Sequence, residues 1–291
     1  MGFLSGRSFG IVSRIITLTT DFGYRDPFVG IMKGVVSAIN PAAAIIDLTH
    51  GVAPQDITGG ALALAAAVDF FPAGTIHVAV VDPGVGGERR PILVETDRAC
   101  YVGPDNGLLS LAAGRQALIR VVHLSNPDYH LSPTSSTFHG RDVFAPVAAH
   151  LAAGVPPEKL GETVESFEAS SVPAPEMLDA GRVGGEVIYV DGFGNLTTNI
   201  RGEHLERLDP KNVAVRIGDR QIHGISANYA SAGTGNYLAL VNSWGLLEIS
   251  RCNGNAQAGL GAGTGTRVLL SPPSSPGFPP PTGVAGKRSR E

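Results

Sequence analysis

Only two cysteines, Cys100 and Cys252, occur in 291 residues. They stand far apart, in neither a CxxC pair nor a Cys/His cluster, which removes a disulfide framework and a zinc site. Two reduced thiols in a cytoplasmic protein are the expectation. Charge is scarce as well: 16% of residues are charged against 43% hydrophobic, a globular composition with ample material for a core. Even so, no uncharged apolar run approaches the ~20 residues of a membrane span, so no membrane is expected. The 22 basic residues are scattered and the net charge is -4, so no stripe exists to neutralise phosphates and nucleic acid is not an expected partner. Residues 1–14 lack the apolar run of a secretory signal and read as a short extension. Residues 272–291, rich in Pro, Gly and Ser, read as a disordered tail.

Several catalytic devices are missing too. "DPGVGG" is glycine-rich, yet neither GxGxxG opening a helix nor GxxxxGK[ST] is present, so no phosphate cradle is indicated; its glycines are expected to let a ligand approach the backbone. No GxSxG elbow occurs and no base is marked beside Cys100, which leaves covalent catalysis without a nucleophile. His50, His77, His123, His130, His150 and His223 lack metal-ligand spacing and read as structural. Neither a metal nor a cofactor is expected.

What is present is an alternation of strands and helices. "IITLTT" (Ile15 to Thr20) is a β-branched run that stops at Asp21-Phe22-Gly23. A helix follows, with Asp26 as its expected cap, Pro27 as its first residue, and Phe28, Ile31, Met32, Val35, Val36 and Ile39 on one face. "AIIDLTH", "TIHVAVVD", "ILVETD", "CYVGP" and "ALIRVVHL" read as strands, "DITGGALALAAAVDFF" as an apolar helix, and "DVFAPVAAHLAAG" as a helix beginning near Asp142. This order predicts a parallel or mixed sheet, mostly parallel, flanked by helices. Beyond Gly181 the pattern changes to strands with Gly, Asn and Asp turns and almost no helix, as in a small all-β barrel or sandwich. The expected organisation is an α/β domain over 15–170, a linker over 171–181 and a barrel-like domain over 182–271.

The chemistry-bearing groups cluster at strand ends. Asp21 lies just past the carboxyl end of a strand, where open α/β sheets bind ligands, and suits a sugar diol as well as it suits a turn. "VVDPGVGGERR" (Val80 to Arg90) sets Asp82 and Arg89 seven residues apart, with Arg90 read as a surface charge. His139 stands in "STFHGRD"; a lone histidine in an apolar chain is more often structural, so its company must decide. "DGFGNLTTN" and "NSWGLLEIS" add the stackable rings of Phe193 and Trp244 to amide, hydroxyl and acidic groups, which suit an aromatic base and a zwitterion.

Taken in order, "LTTDFG", "DPGVGGERR", "PDNGLL", "FHGRDVFAPVAAHLAAG", "DGFGNLTTNI" and "NSWGLLEI" closely resemble the S-adenosyl-L-methionine hydroxide adenosyltransferase family, over roughly Ile15 to Leu270. The resemblance implies hydrolysis of S-adenosyl-L-methionine, the substrate and not a cofactor, to adenosine and L-methionine. It also implies a homotrimer with sites between neighbouring subunits. Carried over by motif, the catalytic set falls on Asp82, Arg89 and His139. The ribose contact falls on Asp21 with Phe22 beside it, and the adenine and methionine contacts fall on Asp191, Phe193, Asn195, Ser243, Trp244 and Glu248. Halogenating relatives carry a tyrosine in a "YPATG"-like stretch where this chain has Asp82, and a serine where it has Gly140. A buried aspartate repels halide, so the water-using branch is expected over a halogenase. A sensor that binds without turnover is the non-catalytic alternative.

Overall fold

The computed structural model describes residues 15–205 and 208–272. The extension expected over 1–14 lies outside the described residues, as does the tail expected over 272–291 except for Pro272. The chain divides into two compact units between Val172 and Pro173.

In the first unit β1 (Ile15–Thr20), α1 (Phe28–Ile39), β2 (Ala44–Thr49), α2 (Ile57–Ala67) and β3 (Thr75–Val80) alternate as the sequence predicts. They are followed by β4 (Pro91–Thr96), β5 (Ala99–Pro104), the short α3 (Ser110–Ala113), β6 (Leu118–His123), α4 (Ala145–Ala152) and β7 (Glu162–Val164). One seven-stranded sheet results, in the order β2-β1-β3-β5-β4-β6-β7. Its β2-β1-β3-β5 portion is parallel, and β4, β6 and β7 add antiparallel pairs.

Strand periodicity decides which helix covers which face. Ile76, Val78 and Val80 of β3 join Met32 and Val36 of α1 and Val147 and Leu151 of α4 in one core. Ala79 and Val81 point the other way, into a second core with Leu64, Leu108 and Ala112. Buried on both faces, β3 has to be a near-continuous apolar run, and it is. Phe144, 0% exposed, fills the first core; its loss to alanine costs about 3–5 kcal/mol.

Three expectations need correcting. Asp26 does not cap α1: Pro27 occupies the N-cap and no side chain caps it. The apolar face of α1 is also rotated, with Val29 buried while Phe28 and Ile31 are 41% and 37% exposed. The helix anticipated near Asp142 begins earlier, in a π-helical turn over Gly140–Phe144 that runs into α4. Such wide turns recur at functional sites, and this one carries the segment after His139.

In the second unit β8 (Glu176–Met177), β9 (Val183–Val190), β10 (Leu196–Arg201), β11 (Ala214–Ile217), β12 (Arg220–His223), β13 (Tyr237–Val241), β14 (Leu246–Arg251), α5 (Ala256–Leu260) and β15 (Arg267–Ser271) follow in order. The path β12-β11-β15-β9-β10-β14-β13 is antiparallel throughout, with β8 added on β9, and its end strands β12 and β13 lie against each other. It is the barrel-like all-β fold expected, around Val187, Leu196, Val215, Leu247, Ile249 and Val268. Among the described residues no helix is long and apolar enough to cross a membrane.

Candidate functional site

The parallel part of the first sheet has a switch point. From β1 the chain crosses by α1 to β2 on one side, and from β2 it crosses by α2 to β3 on the other. Connections leave β1 and β3 in opposite directions, which opens a crevice at their carboxyl ends where ligands of α/β sheets bind. Thr20 pairs with Val80, so Asp21 and Asp82 emerge side by side at that crevice.

A cavity of about 440 Å³ occupies it, within the usual range of small-molecule sites. Asp21, Asp82 and His139 supply its polar wall. Phe22, Phe28 and Phe138 supply an aromatic one, their rings meeting edge to face at 5.2 to 5.9 Å. Phe28 explains the rotated face of α1: the first turn of the helix serves the cavity and leaves the core to Val29.

Asp82, Arg89 and His139 come together as the sequence reading requires. Arg89 Nε donates to Asp82 Oδ1 at 2.9 Å and Oδ2 at 3.1 Å, and Nη2 pairs with Oδ2 as well. Their side chains are 9% and 5% exposed. Arg89 Nη2 also donates to His139 Nδ1 at 2.8 Å, and its guanidinium lies 5.5 Å above the Phe144 ring. Because a guanidinium only donates, Nδ1 is the acceptor and the imidazole proton sits on Nε2. Burial, and then the positive charge of Arg89, lower the His139 pKa below 6.5 and keep the ring neutral. Arg89 thus bridges an anion and a neutral tautomer.

One loop glycine has a structural use that the sequence does not announce. Gly86 has φ +74°, and a Cβ on it would stand 2.1 Å from the Ser136 carbonyl oxygen. Its bareness lets the Asp82–Arg89 loop press against the backbone that carries His139, which helps to assemble the set. Arg90 is not a free surface charge either: its Nε donates to Asp105 at 2.9 Å, and the Asp105 side chain is 3% exposed. The His139 segment is braced in turn by Asp142, 1% exposed, which accepts from Arg141 at 2.6 Å and from the Ser135 N–H at 2.8 Å.

Asp21 does not close a turn on itself. Its Oδ2 accepts the Gln55 N–H at 2.8 Å, and Gln55 holds a left-handed backbone, φ 65°. Gln55, Phe28 and Phe138 are site residues that sequence reading missed; Phe138 stood in a quoted stretch, while nothing local marks Gln55.

In the second unit a cavity of about 610 Å³ is lined by Asp191, Phe193, Asn195 and Tyr229 among others. Asp191 holds a tight turn, accepting from the N–H groups of Phe193 and Asn195 at 2.9 Å each and from Asn195 Nδ2 at 2.9 Å. The turn leaves the Phe193 ring 79% exposed, an uncommon position for so large an apolar surface. Ser243 and Trp244 lie outside this lining, on a turn where Asn242 Oδ1 accepts the Trp244 N–H at 2.9 Å and Trp244 packs 5.2 Å from Tyr189. Glu248 is 4% exposed beneath the cavity, accepting from Tyr229 at 2.9 Å, Ser250 at 2.6 Å and Asn242 at 3.1 Å. Tyr229, which sequence reading also missed, is raised to about 12 by burial and by this carboxylate. Among the described residues no group of three or more His, Cys, Asp or Glu is placed to hold a metal ion.

Comparison with known proteins agrees with this geometry. The model of the SAM hydroxide adenosyltransferase N-terminal domain matches residues 16–161, and that of the C-terminal domain matches 185–269. A curated relative from Salinispora tropica, named (R)-S-adenosyl-L-methionine hydrolase, is 40% identical over 88% of this chain and 97% of its own. One of the same name from Methanocaldococcus jannaschii is 37% identical over 83% of this chain and 90% of its own. A fluorinase from Nocardia brasiliensis is more distant, 27% identical over 81% of this chain and 90% of its own. A solved structure of an uncharacterized conserved protein from Thermotoga maritima superposes with a TM-score of 0.82 at 36% identity, covering 88% of this chain and 99% of that one. The chain belongs to the SAM hydroxide adenosyltransferase family.

Proposed function

We propose that this protein is a hydrolase that converts S-adenosyl-L-methionine to adenosine and L-methionine. The observation that carries the reading is the Asp82–Arg89–His139 set, in which the buried Asp82–Arg89 pair joins His139 and both Asp82 and His139 line a cavity at the sheet's switch point. The relatives' name specifies the (R) form, and we take the same form as the substrate here.

Attack by water oxygen on the 5' carbon breaks the carbon–sulfur bond, whose electron pair leaves on sulfur as the neutral thioether of methionine. The leaving group needs no proton, so the protein has to place one water in line and remove its proton as the new bond forms. Free water has a pKa of about 15.7 and an ordinary aspartate about 3.9, so the proton moves during attack and not before it. In our reading Asp82 accepts that proton. Its carboxylate is aimed by two-point contact with Arg89 and keeps lone pairs toward the cavity. Neutral His139 donates from Nε2–H to the water oxygen and orients it, while Arg89 locks both partners. Asp82 lies on the water side, because an anion against the sulfonium stabilises charge that vanishes in the transition state.

Asp21 is proposed to accept the ribose hydroxyls with Phe22 beside it. Asp191, Phe193 and Asn195, with Tyr229, Ser243 and Trp244 nearby, are proposed for the adenine and methionine ends. A homotrimer that brings a nucleoside wall of one copy to the second-unit cavity of its neighbour is part of the same proposal, tested by light scattering. A cytoplasmic location is proposed as well, supported by the free thiols Cys100 and Cys252.

The deciding experiment incubates the protein with each sulfonium epimer of S-adenosyl-L-methionine in H2¹⁸O, with and without chloride. Equal yields of adenosine and methionine, with ¹⁸O in the 5'-hydroxyl, are expected. A 5'-chloro nucleoside establishes a halogenase instead, and tight binding without product establishes a sensor. Asp82 on the cavity wall disfavours a halide pocket, because the carboxylate repels the anion.

A further inference from the structure

His50, 1% exposed at the end of β2, has no part in the scheme above, and by spacing alone it is a structural histidine. Its surroundings say more. The parallel pairing of β1 with β2 runs from Ile15–Ala44 to Leu18–Asp47 and then slips, so that Thr19 pairs with Thr49. Leu48 is the extra residue, and the slip brings His50 level with Thr20, the last residue before Asp21. Irregularities of this kind re-aim side chains beside active sites.

Thr20, 0% exposed, has one hydroxyl hydrogen to give. Its Oγ1 accepts the Phe22 N–H at 3.2 Å and lies 2.7 Å from His50 Nδ1. Nε2 stands 3.1 Å from Asp47 Oδ1, which only accepts, so the ring proton sits on Nε2 and Nδ1 takes the Thr20 hydroxyl hydrogen. Both Nε2 and Oδ1 are buried without a well-aligned hydrogen bond, so they face each other as a close polar contact at 3.1 Å. Asp47 Oδ2 is held from outside by Lys33 at 2.6 Å and Tyr24 at 3.1 Å. The His50 carbonyl accepts the Gly23 N–H at 2.8 Å. The two backbone N–H groups that follow Asp21 are therefore both fixed through one residue, one by its ring and one by its carbonyl.

We infer that Thr20, His50 and Asp47 are positioning residues for the reaction, a buried chain of polar contacts that sets the Asp21–Phe22 turn at the cavity wall. The inference rests on the reading of Asp21 as the ribose contact. The Gln55 N–H fixes the Asp21 side chain, and the His50 chain fixes its backbone, so the carboxylate is presented with little freedom left to lose on binding. Each member of the chain has defined donor or acceptor duties, and removing any of them releases the turn.

Thr20→Val keeps the volume and removes the hydroxyl. It is expected to raise KM for S-adenosyl-L-methionine about tenfold, the loss of roughly one contact to a charged group, while kcat changes by less than about threefold. Thr20→Ser, which restores the hydroxyl, is expected to return KM to the wild-type value. Placed on Asp21→Asn, Thr20→Val is expected to add nothing to KM, because the two act through one contact. A lowered melting temperature with unchanged KM in Thr20→Val, or an effect that adds in full on Asp21→Asn, overturns the inference. If Asp21→Asn alone leaves KM unchanged, the ribose contact is refuted, and the chain is judged by the contrast of valine with serine. Should Thr20→Val not fold, Asp47→Ala removes the half-buried outer end; a KM rise supports the chain and an unchanged KM overturns it.

Discussion

Asp82→Asn and His139→Asn separate the two roles assigned around Arg89. Asparagine at 82 retains an oxygen for the Arg89 Nε but turns an amide toward Nη2, donor against donor. The charge of a guanidinium whose side chain is 9% exposed is then unbalanced, and removing one partner of such a buried pair costs about 3–5 kcal/mol of stability. Chemistry suffers separately. Losing the proton acceptor costs about 10²- to 10⁴-fold, or roughly 3–5 kcal/mol of barrier. Asparagine at 139 behaves differently: its Oδ1 sits near the position of Nδ1 and still accepts from Arg89, while the Nε2–H is lost. One donor to a developing charge is worth about 1.5–3 kcal/mol, so a ten- to hundredfold loss is expected.

Single-turnover rates, read as adenosine formed per enzyme, report the chemical step, and the fluorescence of the single tryptophan, Trp244, reports binding in the same samples. Both variants are expected to bind substrate, with Asp82→Asn the slower by at least about tenfold. The pH profile adds a second readout. Because His139 lies below 6.5 in the folded protein, kcat/KM of the wild type stays flat above that pH and falls on its acid side. Protonated Nδ1 there opposes the Arg89 N–H and breaks the set. In His139→Asn the acid limb moves lower. A His139→Asn enzyme slower than Asp82→Asn, or an acid limb that stays in place, refutes the assignment of acceptor to Asp82 and donor to His139.

Other outcomes follow from the same structure. His77, 1% exposed, is held at about 4 by burial, so the unfolded chain takes up a proton below about 6.5 that the folded chain refuses; stability falls by about 3 kcal/mol as pH drops from 6.5 to 4, and urea melts of wild type and His77→Gln show whether that slope belongs to this residue. Gly140→Ser places a Cβ 3.2 Å from Met32 Sδ and Phe138 Cε2, and is expected to cost activity without yielding a chlorinated nucleoside by mass spectrometry; chlorination would show that Asp82 does not exclude halide. Phe193→Ala is expected to leave the melting temperature within about 1 °C, since little is buried, and to raise KM; an unchanged KM removes Phe193 from the site. Glu248→Ala is expected to destabilise by about 1–3 kcal/mol by orphaning the Tyr229 and Ser250 hydroxyls, and a KM change without a stability loss would return Glu248 to direct substrate contact.

Where the sequence is a reliable guide here, one local cause dominates. β3 is buried on both faces, so its composition alone marks it, and the α/β alternation follows from repeats of the same signal. Helix ends were harder. Asp26 is a good N-cap residue by type, yet the chain enters α1 at Pro27, and the first turn faces a cavity instead of the core. The apolar periodicity of Phe28 and Ile31 is helical and real; what it cannot encode is whether an apolar side chain meets protein or ligand. The short β7 and β8, which no apolar run announces, exist only because neighbouring strands offer them edges.

The same division separates the site residues. Asp82, Arg89 and His139 were legible because their quoted stretches carry a family pattern, but the order of their contacts was not. Only the structure shows Arg89 donating to both others, and that single fact makes His139 a donor in our reading, since Nδ1 is occupied and the ring is neutral. Gly86 makes the complementary point: the residue is unmistakable in "DPGVGG", yet its purpose depends on Ser136, fifty positions away in the chain. Bare backbone here brings two loops of protein together, and the acid that one loop carries becomes catalytic in our reading because the other loop delivers a histidine to the same guanidinium.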